Sequence, residues 1–130
     1  MAEEVRLVEA FLAAAEQRDR ALMARLFPPD AEVREPDSLP WGGVHRGLEG
    51  FLQLVRTLYG AFAWLEVKVE GMMGRDGRVV VWAVIEGRTR GGRTFSMPVL
   101  EDWRIEGGRI RAVIPHYFDT AAMARLAADQ

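Results

Sequence analysis

"RVVVWAVIEGRTRGGRTFSMPVLEDWRIEGGRIRAVIPHYFD", residues 78–119, sets the architecture of the chain. Three stretches rich in β-branched and aromatic residues are separated only by "GG" at 91–92 and "EGG" at 106–108. Links this short join antiparallel strands, because a parallel crossover needs a dozen or more residues. Upstream, Leu65, Val67 and Val69 alternate with Glu66, Lys68 and Glu70, and "RDG" at 75–77 turns that strand into the next. The pattern predicts a meander of four long strands.

Towards the N-terminus the apolar period changes from two to that of a helix. Val5, Val8, Leu12 and Ala15, with Phe11 beside them, form the stripe of a first amphipathic helix. Leu22, Met23, Leu26 and Phe27 mark a shorter second one, stopped by "PPD" at 28–30 because proline cannot continue the backbone ladder. "AEVREP" reads as a short strand, and "DSLPWGGVHR" as a loop too rich in Pro and Gly for a regular element. Leu48, Phe51, Leu52, Val55 and Tyr59 mark a third helix, and Thr120 to Ala128 a short closing one. The order predicts an α+β domain spanning residues 1–130, with helices on one face of a curved antiparallel sheet.

Bulk properties narrow the function. One domain with a real core fits 130 residues, and 49% apolar with 28% charged residues is ordinary for a globular chain. A net charge of −2 leaves no electrostatic footprint for nucleic acid or an acidic membrane. With no cysteine, disulfides and thiolate metal sites are excluded. The start "MAEEVRLVEA" lacks the basic region and apolar run of a secretory signal, and "VVVWAVI" is far too short to span a membrane. A cytoplasmic setting is the expectation. Two histidines far apart predict no metal site, and "GGVHRG" lacks the strand before it and the Lys-Ser/Thr after it that a phosphate loop needs.

The strands carry polar residues on faces that otherwise read as dry. Glu35 shares a face with Ala31 and Val33, and Glu101 with Phe95, Met97, Val99, Trp103 and Ile105. Strict alternation puts His116 with Ile110, Ala112, Ile114 and Phe118, and leaves Leu100, Val113 and Tyr117 outside. A charge buried alone is costly, so such groups are neutralised, hydrogen-bonded or set around a cavity. Two carboxyls and an imidazole converging in an apolar pocket suit acid–base work, since desolvation raises a carboxyl towards neutrality. The plainer readings stand beside this one: Glu35 solvated at a strand end, Glu101 turned outward by a bulge near "LED", His116 a satisfied core histidine. Trp41, Trp82, Met97, Trp103 and Phe118 are the candidate ligand-binding residues, with plain core as the alternative. Glu86 shares the face of Val80, Trp82 and Val84 and is a candidate for the rim, and His45 lies in the Gly-rich loop.

In "VEAFLAAAEQRDRALMARLF", "AEVREP", "GVHRGLEGFLQL" and "EGGRIRAVIPHYFDTAAMARL" the chain resembles the SnoaL-like, or NTF2-like, superfamily along nearly its whole length. The resemblance implies a cone, a curved antiparallel sheet with three helices on its concave face. Matched to ketosteroid isomerases, Glu35 falls at the general-base position before proline. Glu101 falls at that of the oxyanion-hole acid, a carboxylic acid kept protonated by its apolar site. Phe11 falls where that family has its oxyanion tyrosine, so one donor is missing. Matched to polyketide cyclases and limonene-type epoxide hydrolases, His116 aligns with an acidic catalytic residue, while Trp82 and Val84 replace the hydrolase Arg and Asp. These matches imply proton transfer without cofactor on a small apolar carbonyl compound, with His116, Glu35 and Glu101 as catalytic residues. The alternative is a non-catalytic module of the same fold that binds a hydrophobic ligand or dimerises. A homodimer through the outer sheet face, no nucleic-acid partner and no membrane partner complete the expectation.

Overall fold

The computed structural model describes residues 2–130. Four helices, α1 (Glu3–Gln17), α2 (Arg20–Leu26), α3 (Gly47–Gly60) and α4 (Thr120–Ala128), accompany six strands among these residues. The strands are β1 (Glu32–Glu35), β2 (Gly43–Arg46), β3 (Phe62–Arg75), β4 (Arg78–Thr89), β5 (Thr94–Glu106) and β6 (Arg109–Tyr117). They form one sheet in the order β2-β1-β6-β5-β4-β3. The four long strands are the expected antiparallel meander. The fourth helix is the short closing one, capped by the Asp119 carboxylate on the Ala122 N–H at 2.9 Å, and it adds to the three that the cone requires.

Two features of the sheet differ from the sequence reading. "GVHR", assigned to a loop, is strand β2, whose residues Gly43 to Arg46 pair antiparallel with Glu35 to Glu32. β1 in turn pairs parallel with β6, Glu32 beside Ala112 and Val33 beside Val113, so the sheet is not wholly antiparallel. Both features depend on pairing between separate segments, which local periodicity does not report.

A bulge in β6 decides which residues face the helices. Arg104 pairs with Ala112 but the next residue, Ile105, pairs with Ile110, so Arg111 is an extra residue with no partner on β5. One extra residue exchanges the two faces of everything beyond it. Trp103, Glu101 and Val99 on β5 lie opposite Val113, Pro115 and Tyr117, and these are the residues of β6 that face inward. Ile114 and His116 face out, opposite Asp102 and Leu100. The core runs from Val8 and Phe11 of α1 through Met23 and Phe27, across Val33, Val79, Val81, Val99 and Trp103, to Val113 and Met123. Within it, Phe11 stacks on Phe27 and meets Phe51 and Trp103 edge-on, with ring centroids 5.2 and 5.9 Å away.

The convex face is apolar along its middle. Trp82 on β4 pairs with Leu100 on β5, which pairs with His116 on β6. Leu100 is 50% exposed and Val80 39%. Trp82 packs against Gly71, where an added Cβ would come within 2.4 Å of the indole. No helix among the described residues is long and apolar enough to cross a membrane.

Candidate active site

The site forms where β1, β6 and β5 run side by side on the concave face. Val33 and Glu35 point inward from β1, with Ala31 buried just before it, and Glu35 is only 8% exposed. Glu101 points inward from β5 opposite Pro115 of β6. The register Val33–Val113, carried two residues on, sets Glu35 level with that same proline. The two carboxyls therefore flank Pro115, one on each neighbouring strand.

Each carboxyl is held by an aromatic donor. The Tyr117 hydroxyl, two residues past Pro115 on the same face, donates to Glu35 Oε1 at 2.8 Å. The Trp41 indole N–H, from the loop between β1 and β2, donates to the Tyr117 oxygen at 3.1 Å. Since that oxygen is already an acceptor, its single proton is directed to Glu35. Glu101 Oε1 accepts from the Trp103 indole at 3.0 Å, and the Trp103 ring rests against Phe11. Among the described residues every fully buried side-chain nitrogen or oxygen has a hydrogen-bond partner. Oε2 of Glu35 and Oε2 of Glu101 form no hydrogen bond with protein groups among those residues, so each reaches open space.

These surroundings shift the carboxyls upward. Burial pushes Glu35 up to about 7; the Tyr117 hydrogen bond opposes this, the nearby Glu101 charge adds to it, and the Trp41 N–H opposes it again. Glu101 is also raised by burial, with the Trp103 N–H pulling back. Neither carboxyl forms an ion pair among the described residues. Burial likewise raises the Tyr117 phenol, helped by the charge of Glu35, so it stays a proton donor in its hydrogen bond. Tyr59 on α3, at the exposed side, is raised by burial and then by the charges of Glu101 and Glu66.

Of the residues singled out from the sequence, Glu35, Glu101, Trp41, Met97 and Trp103 lie on the concave side. Three do not. His116 is exposed on the convex face beside Leu100, because the Arg111 bulge exchanges it with Tyr117. Phe118, just past β6, is 79% exposed. Trp82 packs on Gly71 outside the sheet, since β4 buries Val79, Val81, Ala83 and Ile85 instead. Glu86 belongs to the outer surface too, paired with Lys68 at 2.6 Å. Val113 and Tyr117, expected outside, are inside. Tyr117 is the site residue that strict alternation missed, although "AVI" at 112–114, three apolar residues in a row after Arg109 and Arg111, marks where alternation fails. No three His, Asp or Glu side chains among the described residues come together as metal ligands would.

A family model described as the SnoaL-like domain matches residues 8–113. No curated protein matches the chain in sequence. Among solved structures, an NTF2-like protein of unknown function from Burkholderia pseudomallei K96243 is 24% identical with a TM-score of 0.82, covering 98% of each chain. TerC, co-crystallised with polyporic acid, is 19% identical with a TM-score of 0.82 over 98% of this chain and 99% of its own. A putative SnoaL-like polyketide cyclase from Jannaschia sp. CCS1 is 20% identical with a TM-score of 0.67 over 84% and 78%. At these identities the likeness is one of fold.

Proposed function

We propose, for a chain that belongs to the SnoaL-like domain family, a cytoplasmic proton-transfer enzyme that works without cofactor on a small apolar carbonyl compound. The reaction would be of the isomerase, cyclase or dehydratase kind. Glu35 takes the proton from the carbon next to the carbonyl through its open Oε2. Tyr117 holds Oε1 and keeps the carboxyl oriented through the transfer. Glu101, whose protonated form burial favours, donates from that form a hydrogen bond to the oxygen on which negative charge develops. Trp41, Met97 and Trp103 give the reacting end an apolar wall. His116 has no part in this mechanism.

The observation that carries the reading is a buried carboxyl poised at about 7 with one oxygen tethered and the other open. A base poised near the working pH is present in its ionised form yet still takes a proton with useful driving force. The fold of TerC and of the SnoaL-like polyketide cyclase supports a small-molecule site in general terms. The test is proton exchange at the activated carbon of 2-tetralone and of a cyclic β-diketone in D2O, followed by NMR. Exchange above the buffer rate, lost by about 10²–10⁴-fold in Glu35→Gln, is the expected result. Exchange no faster than buffer on every ketone of such a panel counts against catalysis.

The convex face favours a second reading, a dimerising module that holds a hydrophobic ligand without turning it over. Trp82 and Leu100 stand side by side there, and Val80 and Ile114 flank Asp102 in the neighbouring row, so the apolar residues lie on three adjacent strands around one carboxylate. We propose that a second copy covers this face by a two-fold contact, and this assembly is compatible with either reading.

A further inference from the structure

We propose that His45 is a positioning residue: by holding the Trp41 carbonyl it fixes the loop that aims the Tyr117 proton at Glu35. The inference rests on the reading of Glu35 as the proton acceptor. His45 lies on β2 opposite Val33 of β1, on the inward side of the sheet. Its Nε2 is 2.8 Å from the backbone oxygen of Trp41. A carbonyl oxygen only accepts, so Nε2 carries the proton and donates.

The loop that this bond closes is tight. Its two internal backbone bonds run from the Leu39 N–H to the Pro36 oxygen at 3.1 Å and from the Gly42 N–H to the Leu39 oxygen at 2.9 Å. A Cβ on Gly42 would lie 2.4 Å from the Pro36 oxygen, so the turn closes only around glycine. Neither internal bond reaches the Trp41 carbonyl. His45 supplies that anchor from the neighbouring strand. Beyond it the indole of Trp41, 1% exposed, is set at 3.1 Å from the Tyr117 oxygen, and Tyr117 at 2.8 Å from Glu35. Three hydrogen bonds in sequence thus run from the imidazole to the carboxyl, and each sets the direction of the next. A functional group held this way depends on its supporting contacts as much as on its own position.

NMR of the full chain tests this without a substrate. In the native protein the His45 ring should show the Nε2-protonated tautomer at neutral pH. In His45→Ala the Trp41 indole N–H should exchange with solvent at least about tenfold faster, with the other three tryptophans unchanged. The ¹³C titration of the Glu35 carboxyl should move upward, because the donors that favour its charged form are loosened. His45→Gln, whose amide places an N–H near the same carbonyl, should restore both. An Nε2 without its proton in the native chain overturns the proposal, and this arm decides alone if His45→Ala does not fold. Native-like Trp41 exchange and Glu35 titration in His45→Ala also overturn it, as does acceleration of all four indoles that Gln does not rescue. Full proton transfer by Glu35→Gln would instead remove Glu35 as the base while leaving the effect of His45 on Trp41 standing.

Discussion

The Tyr117 hydroxyl donates to Glu35 Oε1 at 2.8 Å, joining residues 82 positions apart on β6 and β1. This bond favours the charged form of a carboxyl that burial disfavours. Tyr117→Phe should therefore raise Glu35 above its value of about 7, read from the carboxyl ¹³C titration. An unchanged or lowered midpoint would show that Tyr117 does not hold the carboxylate.

Glu35 also makes stability depend on pH in a stated direction. Its ordinary value is 4.5 and its value in the fold about 7, so between them the native state binds the additional proton. Stability is then full below about 4.5, falls as pH rises towards 7, and levels off above. The shift corresponds to about 3 kcal/mol at about 1.4 kcal/mol per pH unit. Urea unfolding at pH 5 and pH 8 should show this loss, and Glu35→Gln should remove most of the difference. A native protein equally stable at both pH values would contradict the burial argument.

His116→Ala should leave both stability and any Glu35-dependent proton exchange nearly unchanged, since the ring stands exposed on the convex face. An exposed substitution of this kind is expected within about 0.5 kcal/mol of the native protein. A hundredfold loss of exchange in this variant would mean that the β6 register is wrong.

Deleting Arg111 tests that register directly. Removing the extra residue leaves Ile105 opposite Ile110 and Arg104 opposite Ala112 in unbroken register, so Val113 and Tyr117 stay inward and His116 stays outward. In a β6 without the bulge the same deletion would instead turn over every side chain beyond it, at a cost of at least about 3 kcal/mol. Thermal denaturation should therefore show a chain that still folds cooperatively. A deletion variant that does not fold would rule out the bulge.

The dimer prediction depends on Leu100, half exposed between Trp82 and His116. Light scattering at micromolar concentration should report a dimer for the native chain and a monomer for Leu100→Lys. A monomeric native chain would leave the convex face without the occupant proposed for it.

Residue order alone is enough to specify the meander, the amphipathic helices and the inward side of β1 and β5. In those segments apolar and polar residues alternate or recur with one clear period, and the short glycine turns leave antiparallel pairing as the only option. Glu35, Glu101, Met97 and Trp103 are legible for that reason, whereas Trp41 lies in a loop without a period. The other placements depend on contacts between distant segments. "VVVWAVI" is apolar on both faces, so only the pairing of Val81 with Glu101 and of Trp82 with Leu100 sets Trp82 outside. Strand β2 forms because β1 offers an open edge, despite a composition that reads as loop. Above all, the exchange of His116 for Tyr117 comes from a single unpaired residue, Arg111, whose place is fixed by hydrogen bonding to β5 rather than by the side chains of β6. A period of two does not register an inserted residue, and every side chain beyond the insertion therefore changes face.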